Sequence, residues 1–238
     1  MLIFKVENIC KHFGGVKVLE NMSLAVKKGE VVGIMGPNGA GKTTLLNIIS
    51  GQERADSGEI FLNGERITNL EAHIIAQKGI RRSFQTTSNF PDETIYENIR
   101  AAIINGKHMS KQEEQETVNK ILERVAMLHI ANRRVSEVPI SYSKLVELCR
   151  CLVAKPALIL LDELYAGLTL EESKMVTELI TERKKMEGVS FLLIEHRTEI
   201  LLDVVNRIVV LNQGKNYFEG LPAEVLANKE VSKLYWGE

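Results

Sequence analysis

Apolar residues fall along the chain in two registers. Leu2, Phe4, Val6 and Ile9 alternate with polar neighbours, the period of a strand with one wet face. A second short strand is expected over 22–26. Residues 31–35, Val-Val-Gly-Ile-Met, are apolar throughout, as in a strand covered on both faces, and 43–50 reads as a helix. Runs at 58–62 and 65–67 flank Asn63-Gly64, a pair suited to the two-residue turn of a hairpin.

The middle of the chain changes character. Residues 94–154 carry little strand signal. Within them, Val118, Ile121, Leu122, Val125 and Leu128 recur at helical spacing and predict an amphipathic helix over 110–128. Strand and helix then alternate: strand 157–161, helix 171–186, strand 189–194, a further helix, strand 207–211. That alternation predicts βαβ units and a largely parallel sheet, so an α/β core frames a helical insertion. At 238 residues the chain holds one large domain, or one with an attached lobe.

Composition removes several classes of function. Lys and Arg number 30 against 31 Asp and Glu, a formal charge of −1, which argues against a protein bound to nucleic acid by bulk electrostatics. Three cysteines, Cys10, Cys149 and Cys151, are an odd count that argues against a disulfide framework and for a reducing compartment. Cys149 and Cys151 fall two apart on a predicted helix, roughly 200° of rotation, so their thiols diverge and share no metal. The best apolar runs, 157–161 and 191–194, fall far short of the roughly 18 residues a membrane span needs. The first residues hold no apolar stretch of signal-peptide length.

Chemistry concentrates at Gly36-Pro37-Asn38-Gly39-Ala40-Gly41-Lys42-Thr43, followed by Thr44, which fits G-x-x-x-x-G-K-[ST] between a predicted strand and a predicted helix. The glycines let successive N–H groups turn inward as an anion nest, and the helix N-terminus adds partial positive charge. Lys42 reaches β- and γ-phosphates, and the Thr43 hydroxyl is a ligand for Mg²⁺. A glycine-rich turn that merely precedes a helix is the plainer reading, and the strand-loop-helix context weighs against it. A triphosphate site also needs an acid at the end of a neighbouring strand, and Leu158-Ile159-Leu160-Leu161-Asp162-Glu163 supplies one. Asp162 suits the Mg²⁺ shell, and Glu163 suits a proton acceptor for attacking water. Taken alone, that pair could simply cap the next helix.

Together these residues resemble the ATP-binding subunit of an ABC (ATP-binding cassette) transporter over essentially the whole chain. Gln85, in Arg82-Ser83-Phe84-Gln85, resembles the glutamine that joins core to helical lobe and reaches the metal. His196, in Leu193-Ile194-Glu195-His196, is similar to the switch histidine near the γ-phosphate. Phe13 stands where an aromatic stacks on adenine, and Asp56-Ser57-Gly58 where such subunits turn into their first hairpin. The resemblance implies a P-loop NTPase fold of ABC type: a mostly parallel core sheet, an antiparallel β subdomain and an inserted helical subdomain. It places the nucleotide-binding core at 1–87 and 155–238 and the helical part at 88–154. It implies ATP and Mg²⁺, hydrolysis by Glu163, His196 and Gln85, transmembrane permease partners, and ATP-dependent pairing with a second ATPase subunit. The location it implies is cytoplasmic, peripheral on the inner face of the cell membrane. Gly79-Ile80-Arg81-Arg82-Ser83-Phe84-Gln85, Phe90, Thr94-Ile95-Tyr96-Glu97-Asn98, Ala166-Gly167-Leu168 and Leu234-Tyr235-Trp236-Gly237-Glu238 are most similar to branched-chain amino-acid and urea importer ATPases. Lipopolysaccharide-exporter ATPases share parts of that tail.

The pattern breaks at the signature. Leu-Ser-Gly-Gly-Gln, or a variant with Tyr third, is expected just before a helix leading into the Asp162 strand. Ile140-Ser141-Tyr142-Ser143-Lys144-Leu145 keeps the Ser and Tyr but lacks the Gly and Gln, and is about two residues short. In the family this segment touches the γ-phosphate held by the other subunit, so Ser141, Tyr142 and Ser143 are the residues expected to act on a partner's site. Leu164, Thr169-Leu170 and Arg197 depart from the family at the same face. A hydrolysis-impaired regulatory subunit of a heterodimer is therefore the alternative to a transport ATPase. An ABC ATPase of nucleic-acid work is opposed by the balanced charge and by the lack of a long coiled-coil insertion or tandem cassette.

Overall fold

The computed structural model describes residues 1–83, 88–103, 109–195 and 197–236. The chain opens with β1 (Leu2–Phe13) and β2 (Val16–Lys27), an antiparallel pair, then β3 (Val31–Met35) and α1 (Lys42–Ile49). There follow β4 (Ser57–Leu62), β5 (Glu65–Arg66), α2 (Ala72–Gln77) and β6 (Ile80–Arg82). Three helices come next: α3 (Ile95–Ile103), α4 (Lys111–Arg124) and α5 (Ile140–Val153). The remainder alternates through β7 (Leu158–Asp162), α6 (Leu170–Glu187), β8 (Ser190–Ile194), α7 (Thr198–Val204) and β9 (Arg207–Asn212). It ends with β10 (Lys215–Gly220), α8 (Pro222–Ala227) and α9 (Lys229–Trp236).

The strands form two sheets. One is antiparallel, in the order β2-β1-β4-β5. The other runs β10-β9-β3-β8-β7-β6, parallel except where β10 returns along β9. The apolar runs are explained by what lies on either side. Ile159, Leu161, Phe191, Leu193, Ile208 and Val210 face a core shared with α3 to α7. Their neighbours Leu158, Leu160, Leu192, Ile194, Val209 and Leu211 face a second core with α1 and the antiparallel sheet. With both faces covered, a central strand has no wet side and shows no alternation. Because its strands are parallel, β3, β8 and β7 end at the same edge of the sheet, and β8 lies between the other two.

Four sequence expectations need correction. The second strand is not short: β2 is 12 residues long and pairs along β1 from Val16 to Lys27, its outer positions being polar. The helix expected over 110–128 stops at Arg124; Ala126 takes a left-handed φ of 53° and Leu128–Ile130 forms a separate 3₁₀ turn. Leu128 thus belongs to that separate turn, where it is exposed, rather than to another turn of the helix. The strand expected over 157–161 lies one residue later. The segment expected to precede a helix is inside one: α5 starts at Ile140, with Pro139 as its N-cap, so 140–145 are its first turns.

Candidate functional site

β3 delivers the chain into the glycine-rich turn and α1 takes it away, starting at Lys42. Gly41 caps that helix with φ +100°; a Cβ there would stand 2.7 Å from Leu19 Cδ2 and 2.8 Å from the Val18 carbonyl oxygen. No side chain caps the helix and its first turn holds no acid, so its leading N–H groups stay available to an anion. Lys42 is buried and its ammonium donates to the Gly36 and Pro37 carbonyls at 2.6 and 3.1 Å. Burial pulls its pKa below the ordinary lysine value, while the charges of Glu163 and Asp162 pull it back up. Above the turn opens a cavity of about 400 Å³, lined by Val18, residues 38–44, Glu163 and Ile194.

Asp162 closes β7 and is buried with Arg82, whose Nη2 donates to Asp162 Oδ2 at 3.3 Å; the two side chains are 4% and 6% exposed. Arg82 Nη1 also donates to Asn47 Oδ1 at 2.6 Å, Ser50 Oγ at 3.1 Å and Gln52 Oε1 at 3.0 Å. One guanidinium therefore ties the end of α1 to the end of β7. Burial pushes the Asp162 carboxyl above its usual range, and Arg82 offsets part of that rise. Glu163 takes a left-handed φ of 51° and donates its N–H to the Ile194 carbonyl at 3.0 Å. That backbone lets its side chain reach the cavity mouth rather than continue the strand alternation.

The structure thus gathers residues 38–44 with Glu163 around one cavity, and Asp162 lies close enough to feel the charge of Lys42. Phe13 does not line that cavity; it sits 45% exposed at the end of β1, with the Lys11 ammonium 4.8 Å from its ring centroid. Gln85 and His196 lie outside the described residues, as do Phe84, Gly237 and Glu238. Ser141 and Tyr142 are half-buried, whereas Ser143 is 6% exposed and accepts Asn89 Nδ2 on its carbonyl and its hydroxyl, at 2.7 and 2.9 Å. Thr169 caps α6 reciprocally with Glu172, so its role here is to start a helix. Asp56, just before β4, accepts the His12 backbone N–H at 2.7 Å and so is tied to the end of β1.

The family model described as "ABC transporter" matches residues 19–166. The chain belongs to this family. Over 254 aligned residues this ABC ATPase is 36% identical to a probable branched-chain amino acid transport ATP-binding protein, LivG, of Methanocaldococcus jannaschii, covering 100% of the chain and 98% of that protein. It is 34% identical to a lipopolysaccharide export system ATP-binding protein, LptB, of Haemophilus influenzae, with 100% and 98% covered. A crystal structure of the ADP conformation of MJ1267, an ATP-binding cassette of an ABC transporter, superposes with a TM-score of 0.87 at 34% identity, covering both chains fully. The chain is accordingly a nucleotide-binding ATPase subunit that energises transport. No helix among the described residues is long and apolar enough to cross a membrane.

Beside these residues the ABC ATPase places side chains that the sequence pattern did not single out. Arg82 was visible only as a neighbour of Gln85. Glu195, buried at the end of β8, accepts the Tyr165 N–H on Oε1 at 2.8 Å. Lys144 donates to the carbonyls of Glu163 and Ala166. In the sequence, Glu195 shows only as the acid that ends the apolar run 191–194, and Lys144 only as one residue of the stretch 140–145.

Proposed function

We propose that ATP is hydrolysed at the cavity over residues 38–44, with Glu163 as proton acceptor, and that the work drives a branched-chain amino-acid-type importer. The observation that carries the catalytic part is the convergence of Lys42, Asp162 and Glu163 beside an uncapped helix N-terminus. The backbone of residues 36–41 and the first N–H groups of α1 would cradle the phosphates, with Lys42 leaving the Gly36 and Pro37 carbonyls for a phosphate oxygen. The Thr43 hydroxyl and the Asp162 carboxylate are hard oxygen donors that suit Mg²⁺, as would Gln85. When bound, the ion supplies positive charge to the β- and γ-oxygens. Glu163 takes the proton of a water as its oxygen attacks the γ-phosphorus and the bond to the β–γ bridging oxygen breaks. Gln85 and His196 are assigned to the γ-phosphate, Phe13 to adenine, and Ser141, Tyr142 and Ser143 to the face met by a second ATPase subunit, all on resemblance.

The division into a core of 1–87 and 155–238 and a helical part of 88–154 is part of the same reading. A permease would dock on the helical part, placing the chain on the inner face of the membrane. The importer class rests on relatives such as LivG at 36% identity. The test is Glu163→Gln: the variant is expected to bind Mg-ATP within about twofold of the parent and to lose turnover by a factor of 100 or more. Retained turnover would remove Glu163 from the reaction. The importer class is tested separately, by ATP turnover in a reconstituted permease complex that rises with branched-chain amino acids and not with lipopolysaccharide.

A further inference from the structure

The loop that carries Glu163 is held by two buried charges of opposite sign. From the end of β8, Glu195 accepts the N–H of Tyr165 at 2.8 Å. From the second turn of α5, Lys144, only 9% exposed, donates its ammonium to the Glu163 carbonyl at 2.9 Å and to the Ala166 carbonyl at 2.7 Å. Both of these acceptors are main-chain oxygens, so the charge is spent on fixing the course of the backbone.

What is fixed is an uncommon conformation. Glu163 stands at φ +51°, a region that non-glycine residues enter at a cost and keep only where surroundings over-determine it. The Lys144 bond to its carbonyl and the Ile194 bond to its N–H pin both peptide groups flanking that residue. Rotation of either peptide would swing the Glu163 carboxylate away from the cavity it lines.

An adjacent face of the same helix is anchored as well. Ser143 is held by Asn89, Glu147 Oε1 accepts the Ser88 hydroxyl at 3.0 Å, and Arg150 Nη1 donates to the Ser88 carbonyl at 2.8 Å. Lys144 therefore projects from a helix that is itself fixed against residues 88–89, and its reach to 163–166 has a firm base.

We infer that Lys144 is a positioning residue that holds the Glu163 loop in its reactive conformation from within the same chain. This rests on the assignment of Glu163 as proton acceptor. The first turns of α5, which hold the residues that resemblance assigns to a partner's site, thus carry a duty inside the subunit.

The test uses the full chain with three substitutions. Lys144→Met keeps the length and packing of the side chain and removes the donors; Lys144→Gln keeps a shorter donor; Lys144→Arg keeps charge and reach. For Lys144→Met the single-turnover rate is expected to fall about 10- to 100-fold while Mg-ATP affinity, read with a fluorescent ATP analogue, stays within twofold. Amide exchange at 164–168 should rise, and that across α1 should not. Lys144→Arg should recover most of the rate. If Lys144→Met does not fold, Lys144→Gln carries the same expectation. In a Glu163→Gln background Lys144→Met should lower the residual rate no further, because the group it positions is gone. A folded Lys144→Met with parental rate, equal losses of affinity and rate, or an additive loss in that background would overturn the inference. Failure of Glu163→Gln alone to lose turnover would instead overturn the assignment beneath it.

Discussion

Replacing Arg82 by Met is the sharpest test of how the site is built. The side chain is 6% exposed and serves four acceptors: Asp162, Asn47, Ser50 and Gln52. Methionine fills most of its volume and removes every donor. Stranding one member of a buried pair typically costs about 3–5 kcal/mol, because the remaining charge keeps its desolvation penalty without its partner. At about 2.1 cal/mol/K per residue, a chain of 238 residues has an unfolding entropy of about 0.5 kcal/mol/K. The melting temperature measured by calorimetry should therefore drop by about 6–10 °C. The discriminating variant is Arg82→Met with Asp162→Asn, which deletes the stranded charge as well. It should melt above Arg82→Met alone, since desolvation already outweighs attraction for Asp162, whose carboxyl lies above its usual range. A fall of less than about 2 °C for Arg82→Met, or simple addition of the two single losses, would refute the view that this pair is one coupled unit.

Two further expectations concern other parts of the molecule. Gly41→Ala sets a Cβ 2.7 Å from Leu19 Cδ2 and 2.8 Å from the Val18 carbonyl oxygen at φ +100°, so it should destabilise the fold by about 1–3 kcal/mol and weaken Mg-ATP binding at least tenfold in a titration; parental affinity would speak against a nest that needs glycine. Burial pushes the thiols of Cys149 and Cys151 up to about 12, so at pH 8 a disulfide reagent should titrate only Cys10 in the native chain and all three after denaturation; two fast thiols in the native state would contradict the packing of α5.

Much of the site was legible because its chemistry is local. The turn at 36–43 needs its glycines, its lysine and its hydroxyl within eight consecutive positions, and Asp162-Glu163 follows four apolar residues of one strand. The central strands were legible because two covering layers leave them wholly apolar. What escaped notice depends on distant partners. Arg82 meets Asp162 across 80 positions, and Lys144 meets Glu163 across 19. No period or spacing encodes such contacts. β6 is three residues at a sheet edge, and β10 is mostly exposed polar residues, so neither offers an apolar pattern. The early end of α4 turns on Ala126 adopting a left-handed φ, a residue type that carries no stop signal. Pro139 stands at the N-cap of α5, whereas the family pattern implies a helix that starts only after residues 140–145.

The order of strands in the larger sheet has a metric consequence. β8 is interposed between β3 and β7, so the phosphate cradle and the paired acids stand two inter-strand spacings apart, about 9.6 Å between backbones. That span is a built-in gauge: it fixes how far apart the two banks stand, with side chains reaching in from either one. Point substitutions trim what stands on the banks, but only a change in strand order could widen or narrow the channel itself.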